Sequence, residues 1–166
     1  YKAEKINTHG GSLRIYVKKN QKIQIEKSVK SLLIEEEKFG IKKYKTYSDF
    51  AERIFQLKKN VIRNIKKLKK NNSKIIGYGA PAKATTALNF FNINKEIDFI
   101  VEDNKLKHGK YVPGTNIPIF SKDKIKEKNP IVIVLAWNFF DDIKKNNKEI
   151  SNNFINIKSL EKNEVN

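Results

Sequence analysis

The spacing of apolar residues changes along this chain from a mainly helical period to an alternation of strands and helices. Before that change, residues 12–17 alternate between apolar and polar side chains, which predicts one half-buried strand. No segment close in sequence offers it a partner, so it is interpreted as the last strand of a sheet whose other members are missing. Residues 27–38 and 49–70 have apolar side chains every three or four positions, which predicts two helices. Ser48 or Asp49 is expected to cap the longer helix.

From residue 73 onward, short apolar runs alternate with helical patterns. Strands separated by helices of this length form a parallel sheet with right-handed crossovers. The simplest order places the first strand centrally, the second on one side and the last two on the other. The predicted fold class is α/β, a Rossmann-like doubly wound parallel sheet of about four strands, preceded by two helices and an N-terminal orphan strand. The predicted strands are 74–78, 97–101, 131–137 and 154–157, with helices at 81–91, 122–128 and 141–146 and a short extended piece at 117–119.

The glycine turn after the first of these strands is a candidate binding site. Gly77 and Gly79 let the chain turn tightly, and Pro81 is expected just inside the first turn of the next helix. The free N–H groups of a helix start attract a phosphate or carboxylate, and Lys83 adds a positive charge. A purely structural turn remains the alternative, because short glycine patterns are weak evidence alone. The ligand of a doubly wound sheet binds where the strand order reverses, here between this turn and Trp137.

A formal net charge of +17 first suggests nucleic-acid binding, because lysines that neutralise phosphates release counterions. Only three of the 35 basic residues are arginine, however, and arginine is the residue favoured for forked contacts to phosphate and guanine. The lysines are spread over the whole chain, and those of the long helix fall away from its apolar stripe. We therefore interpret the charge as solvated surface and expect no nucleic-acid partner.

The rest of the composition excludes several classes of protein. No apolar run is long enough to span a bilayer, and no secretory leader is present, so a cytoplasmic protein without a membrane partner is expected. The chain has no cysteine and only two histidines, His9 and His108, which excludes disulfides and predicts no metal site. Methionine is also absent, which suggests a fragment or a trimmed product of a longer protein.

Four motifs occur in order over nearly the whole chain. They are His9-Gly10-Gly11-Ser12-Leu13-Arg14, Gly77-Tyr78-Gly79-Ala80-Pro81-Ala82-Lys83, Lys107-x-Gly109-Lys110-Tyr111-x-Pro113-Gly114-Thr115-x-Ile117-Pro118-Ile119, and Ala136-Trp137-Asn138-Phe139. Together they resemble the carboxyl-terminal region of sugar C-methyltransferases that use S-adenosylmethionine (SAM). Those enzymes join a zinc-binding domain, a SAM-binding domain and a Rossmann-like carboxyl-terminal domain. They methylate a carbon next to the keto group of nucleotide-linked deoxysugars.

The resemblance implies three parts in this chain. Residues 1–20 correspond to the terminal strand of a SAM-methyltransferase domain absent from the sequence, 21–72 to a helical connector, and 73–166 to the Rossmann-like domain. His9 then lies at the domain junction. The family usually has glycine where this chain has Ala84, and the upstream cysteines and SAM motifs are missing. The chain is therefore expected to bind no cofactor itself, with SAM and zinc held upstream, and no catalytic residue is assigned to it.

The resemblance also implies a substrate-orienting role, with a nucleotide diphosphate-sugar as ligand and the upstream methyltransferase domain as partner. The turn's N–H groups would meet the diphosphate, Lys83 would neutralise its charge, and Asp103 would accept a sugar or ribose hydroxyl. Asp103 as an ordinary loop carboxylate and Trp137 as a core residue remain alternatives. The implied substrate-binding residues are Gly77, Tyr78, Gly79, Ala80, Lys83, Asp103, Tyr111, Trp137 and Asn138.

Two other functions stay open on the sequence alone. The spacing Gly77-x-Gly79-x-x-Ala82, with an acidic pair at 102–103, is also that of a fragment of an NAD(P)-dependent oxidoreductase. Pro81 and Lys83 are unusual in that fingerprint. The long helix at 49–70 alternatively indicates a non-enzymatic docking module.

Overall fold

The computed structural model describes residues 1–19, 22–70 and 73–162, without the side chain of His9. Contacts divide the chain into two compact units, Tyr1–Arg53 and Ile54–Asn166, with the boundary inside one long helix. Within the described ranges, the structure contains no helix that is both long and apolar enough to cross a membrane. The role expected for His9 at a domain junction concerns a side chain outside the described part.

The first unit begins with an antiparallel hairpin. Strands β1 (Lys2–Ile6) and β2 (Ser12–Tyr16) pair along their whole length and are joined by a 3-10 turn at Thr8–Gly10. The prediction that residues 12–17 lack a strand partner close in sequence is therefore wrong. The partner was not predicted because its five residues include three charged side chains and show no apolar alternation.

Two helices follow the hairpin along the chain. α1 spans Lys27–Phe39 and ends at Gly40, which adopts a left-handed φ of 83°. α2 spans Tyr44–Lys69 and so begins before the predicted residue 49. Lys45 and Asp49, one turn apart, form an ion pair with an Nζ to Oδ1 distance of 2.8 Å, which supports this additional first turn. The buried residues of α2 are Asn60, Val61, Asn64 and Ile65.

The second unit is built on a parallel sheet. Its strands and helices are β3 (Ile75–Tyr78), α3 (Ala82–Phe91), β4 (Phe99–Val101), β5 (Ile119–Phe120), β6 (Ile131–Val134), α4 (Phe140–Asn146) and β7 (Phe154–Asn156). The strand order is β5-β4-β3-β6-β7, which confirms the central position of β3 and the α/β class. The sheet has one strand more than predicted, because the extended piece near residue 119 pairs with β4.

Two predicted elements differ in the structure. The segment 122–128 forms only a 3-10 turn at Lys122–Lys124 instead of a helix. Ile125 is the one apolar residue of that segment, so a helix there has no apolar face to bury. β6 ends at Val134, and Trp137–Phe139 forms a 3-10 turn instead of extending the strand.

The two faces of the sheet bury separate apolar clusters. Residues such as Ile75 and Ile133 lie on one face and cluster with buried side chains of α2 and α3. Residues such as Ile76 and Tyr78 lie on the other face and pack with Phe140 of α4. Burial on both faces explains the continuous apolar runs of these strands. It also means that neighbours in sequence at a strand end point to opposite sides of the sheet.

Asp98 links the start of β4 to the neighbouring elements. Its Oδ2 accepts hydrogen bonds from the Lys69 Nζ at 2.9 Å and from the Ile75 backbone N–H at 3.0 Å. Burial raises the pKa of Asp98, but the hydrogen bonds from Lys69 and Ile75 outweigh it and leave that pKa below its usual value. The ionised carboxylate therefore stabilises the folded state.

We expect Asp98→Asn to lower the free energy of unfolding by about 1–2 kcal/mol at pH 7, because a charge-assisted hydrogen bond is lost. A lowered folded-state pKa stabilises the protein above the unfolded-state value of about 3.9, and this contribution disappears as the pH falls through the folded-state pKa. Urea unfolding from pH 7 to pH 2 should therefore show the two proteins converging in acid. Asp123→Asn, at an exposed carboxylate, controls for the loss of one negative charge. An equal deficit at both ends of the pH range would contradict the prediction.

Candidate functional site

The glycine turn leads from β3 into α3 at the carboxyl edge of the sheet. Gly79 has a φ of 86°, and its N–H donates to the Val101 carbonyl at 2.8 Å. The next N–H, that of Ala80, donates to the Glu102 carboxylate at 2.8 Å. Pro81 is the N-cap, with an extended ψ of 165°, so it precedes α3 and does not lie inside its first turn as expected. Both donors of the turn therefore have partners within the protein.

Glu102 occupies the anion position of this turn. Its Oε2 also accepts from the Lys107 Nζ at 3.0 Å, and the same ammonium donates to the Ala80 carbonyl at 3.0 Å. Its Oε1 accepts from the Asn104 N–H at 3.1 Å. Burial raises the pKa of Glu102, but these hydrogen bonds outweigh it and leave the pKa below its usual value. An ionised carboxylate thus holds the turn through the Ala80 N–H.

Trp137 lies beside this turn, in the 3-10 turn that follows β6. The Lys83 Nζ lies 5.3 Å from the centroid of its ring, and the Lys158 Nζ lies 5.6 Å from the same centroid. The ring is half-buried, whereas both lysines are exposed. Pro81, Lys83, Trp137 and Asn138 line a small cavity of about 70 Å3. The structure therefore brings together three of the implied substrate-binding residues, Lys83, Trp137 and Asn138.

Tyr78 and Asp103 belong to a second group of polar side chains, on the α4 face of the sheet. The Tyr78 ring is 2% exposed, and its hydroxyl lies 3.0 Å from both Asp103 carboxylate oxygens and 3.2 Å from the Asn147 Oδ1. Burial raises the pKa of the Tyr78 phenol, so the hydroxyl stays a donor. The Lys122 Nζ pairs with the exposed Asp103 carboxylate at 3.3 Å. Tyr78 therefore orients Asp103 from within the core.

Tyr111 lies far from the cavity beside Trp137. It is 63% exposed and forms an isolated antiparallel bridge with Pro118, at the amino-terminal end of β5. Backbone hydrogen bonds of Gly109 and Lys110 with Ile119 place this segment on the outer side of β5. Four strand spacings of about 4.8 Å separate it from β6, or roughly 19 Å. The structure therefore does not bring Tyr111 to Trp137 or Asn138.

Residues outside the implied set also contribute to this edge. Lys158 follows β7 in the same way that Trp137 follows β6. Because the carboxyl ends of parallel strands meet at one edge of the sheet, the sequence could have predicted that Lys158 lies near Trp137. Lys107 is the first residue of the third family motif, but no pattern in the sequence predicts its ion pair with Glu102. His108 is half-buried, and its Nε2 lies 2.7 Å from the Glu102 carbonyl.

Comparison with known proteins agrees with the resemblance stated from the motifs. Residues 7–156 match the model of the C-methyltransferase C-terminal domain family. The chain is 30% identical over 150 residues to the C-methyltransferase NovU of Streptomyces niveus, and the alignment covers 89% of this chain and 36% of NovU. The chain therefore spans about a third of the length of this relative. These matches show that the chain belongs to the family of C-methyltransferase C-terminal domains.

Proposed function

We propose that this chain is the substrate-orienting, carboxyl-terminal part of a SAM-dependent C-methyltransferase that acts on a nucleotide-linked keto-deoxysugar in the cytoplasm. Family membership and the relative named C-methyltransferase support this proposal. SAM and zinc belong to domains upstream of the sequence, so the chain alone does not methylate. SAM bound in the upstream domain would supply the methyl group, and no residue of this chain is assigned to the proton transfer or to the methyl transfer.

The observation that carries the proposal is the pair Lys83 and Trp137 at the carboxyl edge of the sheet. β4 lies on one side of β3 and β6 on the other, so the strand order reverses at this edge, where doubly wound sheets bind ligands. A mobile ammonium 5.3 Å from an indole centroid combines a phosphate-binding charge with a flat apolar surface. Asp103, oriented by Tyr78, is the acceptor for a sugar or ribose hydroxyl.

The hairpin supplies the junction with the upstream domain in this proposal. Leu13, Ile15 and Val17 are 50%, 63% and 85% exposed, which is unusual for three alternating apolar residues. A covering domain would remove this surface from water. Residues 1–20 are accordingly assigned to the end of the methyltransferase domain, with His9 at the junction, and residues 21–72 to the connector that leads to the Rossmann-like part at 73–166.

Calorimetric titration at low salt with UDP-glucose and dTDP-glucose tests the proposal. Weak binding is expected, with a Kd on the order of 1 mM, because the proposed function assigns further substrate contacts to the upstream methyltransferase domain. SAM should not bind, and tight SAM binding would contradict the assignment. NADH titrated under the same conditions tests the oxidoreductase alternative, which clear energy transfer from Trp137 would favour. A monomer in gel filtration at high protein concentration would exclude the docking module.

Lys83→Ala should raise the Kd for the nucleotide sugar about fivefold to tenfold at low salt, because one charge contact to phosphate is lost. Lys58→Ala is the matched control. The Lys58 Nζ also lies over an aromatic ring, 4.9 Å from the Phe90 centroid, but Phe90 is near the opposite end of α3. If Lys83→Ala binds the sugar nucleotide as tightly as wild type, the turn and its lysine have only a structural role.

A further inference from the structure

The backbone donors of the glycine turn do not point to an open diphosphate site. The Gly79 N–H is bonded to the Val101 carbonyl and the Ala80 N–H to the Glu102 carboxylate, each at 2.8 Å. A diphosphate on the turn would have to displace a carboxylate that Lys107 also holds. Like charges at this distance repel, so a second anion beside an ionised Glu102 is disfavoured. The binding position must lie to one side of the turn.

The lysines at the same edge of the sheet fall into two classes. Lys107 is paired with Glu102 at 3.0 Å and Lys122 with Asp103 at 3.3 Å. Within residues 73–162, Lys83 and Lys158 have no carboxylate within ion-pair distance and instead lie over Trp137. Burial raises the pKa of the Glu161 carboxyl, and the Lys158 charge partly opposes that shift. Two ammonium groups at this edge are therefore available to a ligand.

These two ammonium groups share one aromatic ring. Their distances to the Trp137 centroid, 5.3 and 5.6 Å, place two positive charges beside the same half-buried side chain. At 0.01 M salt the Debye length is about 30 Å, which is longer than the separation of two ammonium groups beside one ring, so the two charges repel each other. A ligand with two negative groups relieves that repulsion and gains a contact from each lysine, whereas a ligand with one negative group gains less.

We propose that Lys158 and Lys83 together bind the two phosphates of the substrate against Trp137. Lys158 is thus a binding residue contributed by the segment after β7, and the glycine turn with Glu102 serves as a fixed wall of the site. This inference rests on the proposed nucleotide-sugar site and specifies where in that site the diphosphate lies. Trp137 is the sole tryptophan of the chain, so its fluorescence reports on the site directly.

Inorganic pyrophosphate is the probe, because it carries the diphosphate without sugar or nucleoside. Titration at low salt should change the Trp137 emission saturably. Lys158→Ala and Lys83→Ala should each weaken the apparent affinity about fivefold to tenfold, and inorganic phosphate should bind wild type more weakly than pyrophosphate does. Lys158 is exposed, so its alanine variant is expected to fold, which far-ultraviolet circular dichroism verifies.

Lys58→Ala again serves as the control, because it removes one lysine from an aromatic ring elsewhere in the same unit. The inference is overturned if Lys158→Ala titrates like wild type, if Lys58→Ala weakens binding equally, or if pyrophosphate leaves the wild-type emission unchanged. Calorimetry with UDP-glucose and dTDP-glucose tests the proposed function separately. If the Lys158→Ala variant still binds the sugar nucleotide as wild type does, the proposed function stands and only this position of the diphosphate is rejected.

Discussion

Replacing Gly79 with alanine is expected to lower the free energy of unfolding of the second unit by about 2–5 kcal/mol. The φ of 86° is disfavoured for any residue with a Cβ, at a cost of about 1–2 kcal/mol. A Cβ there would lie 2.8 Å from the Cβ of Ala136 and 3.5 Å from its backbone nitrogen, and forcing atoms into a packed core costs about 1–3 kcal/mol more. Urea unfolding followed by circular dichroism measures the difference.

Gly109→Ala separates the two causes of this effect. Gly109 also has a positive φ, 73°, but a Cβ at that position would have nothing within 4 Å. Its alanine variant should therefore lose only the conformational part, about 1–2 kcal/mol. If the Gly79 and Gly109 variants are equally destabilised, close packing between the turn and the segment after β6 contributes nothing, and the strain of the backbone explains the whole effect.

The parallel sheet was predictable because its signals are local. Runs such as Ile131–Val134 are apolar at every position, and the helix that follows β3 shows a clear helical period. β1 and β5 lacked such signals, since one is mostly charged and the other is only two residues long. Both are strands because of the neighbours they pair with, and pairing partners cannot be derived from the period of one segment.

The position of the candidate site residues in the fold was predictable, whereas their hydrogen-bond partners were not. The reversal of strand order at β3 predicts the edge where Lys83 and Trp137 lie. The glycine pattern, by contrast, predicts free N–H donors, whereas in the structure the Ala80 N–H donates to the Glu102 carboxylate. This pairing depends on the geometry of two strand ends, which no spacing encodes. Tyr111 lies in the same motif as Lys107, yet it projects from the distant edge of the sheet.

The hydrogen bond between the glycine turn and Glu102 also distinguishes the methyltransferase hypothesis from the oxidoreductase hypothesis. A dinucleotide fingerprint binds pyrophosphate through the N–H groups of the turn, and its acidic residue binds the ribose. Here Glu102 is bonded to the turn itself, so the Ala80 N–H that would meet a pyrophosphate already has a carboxylate partner. The turn therefore lacks the free donor that a nicotinamide cofactor would use, in agreement with membership of the C-methyltransferase C-terminal domain family.

The second large effect is expected at Asn64, a buried polar residue of α2. Its Nδ2 donates to the Leu160 and Lys162 carbonyls, each at 2.9 Å, and the residue is 1% exposed. Its Oδ1 has no hydrogen-bond partner among the described residues. Asn64→Asp keeps the shape but places a carboxylate against two carbonyl oxygens. We expect the free energy of unfolding to fall by about 3 kcal/mol or more at pH 7.

The sign of the pH dependence distinguishes this mechanism from simple loss of packing. Burial and carbonyl oxygens should raise the pKa of the new carboxyl above its unfolded value of about 3.9, so the deficit should be smallest near pH 4 and grow as the pH rises. Asn60→Asp, one turn earlier, is the control. The Asn60 Nδ2 also donates to a carbonyl of this segment, that of Glu161 at 3.0 Å, but its Oδ1 accepts from the Arg63 Nη2 at 3.3 Å, so a charge there has a cationic partner and should cost less than at Asn64. Equal, pH-independent losses in the two variants would mean that the amide donors of Asn64 do not hold the segment after β7. That result would weaken the case for Lys158 as well, since Asn64 anchors the carbonyl of Leu160 two residues beyond it.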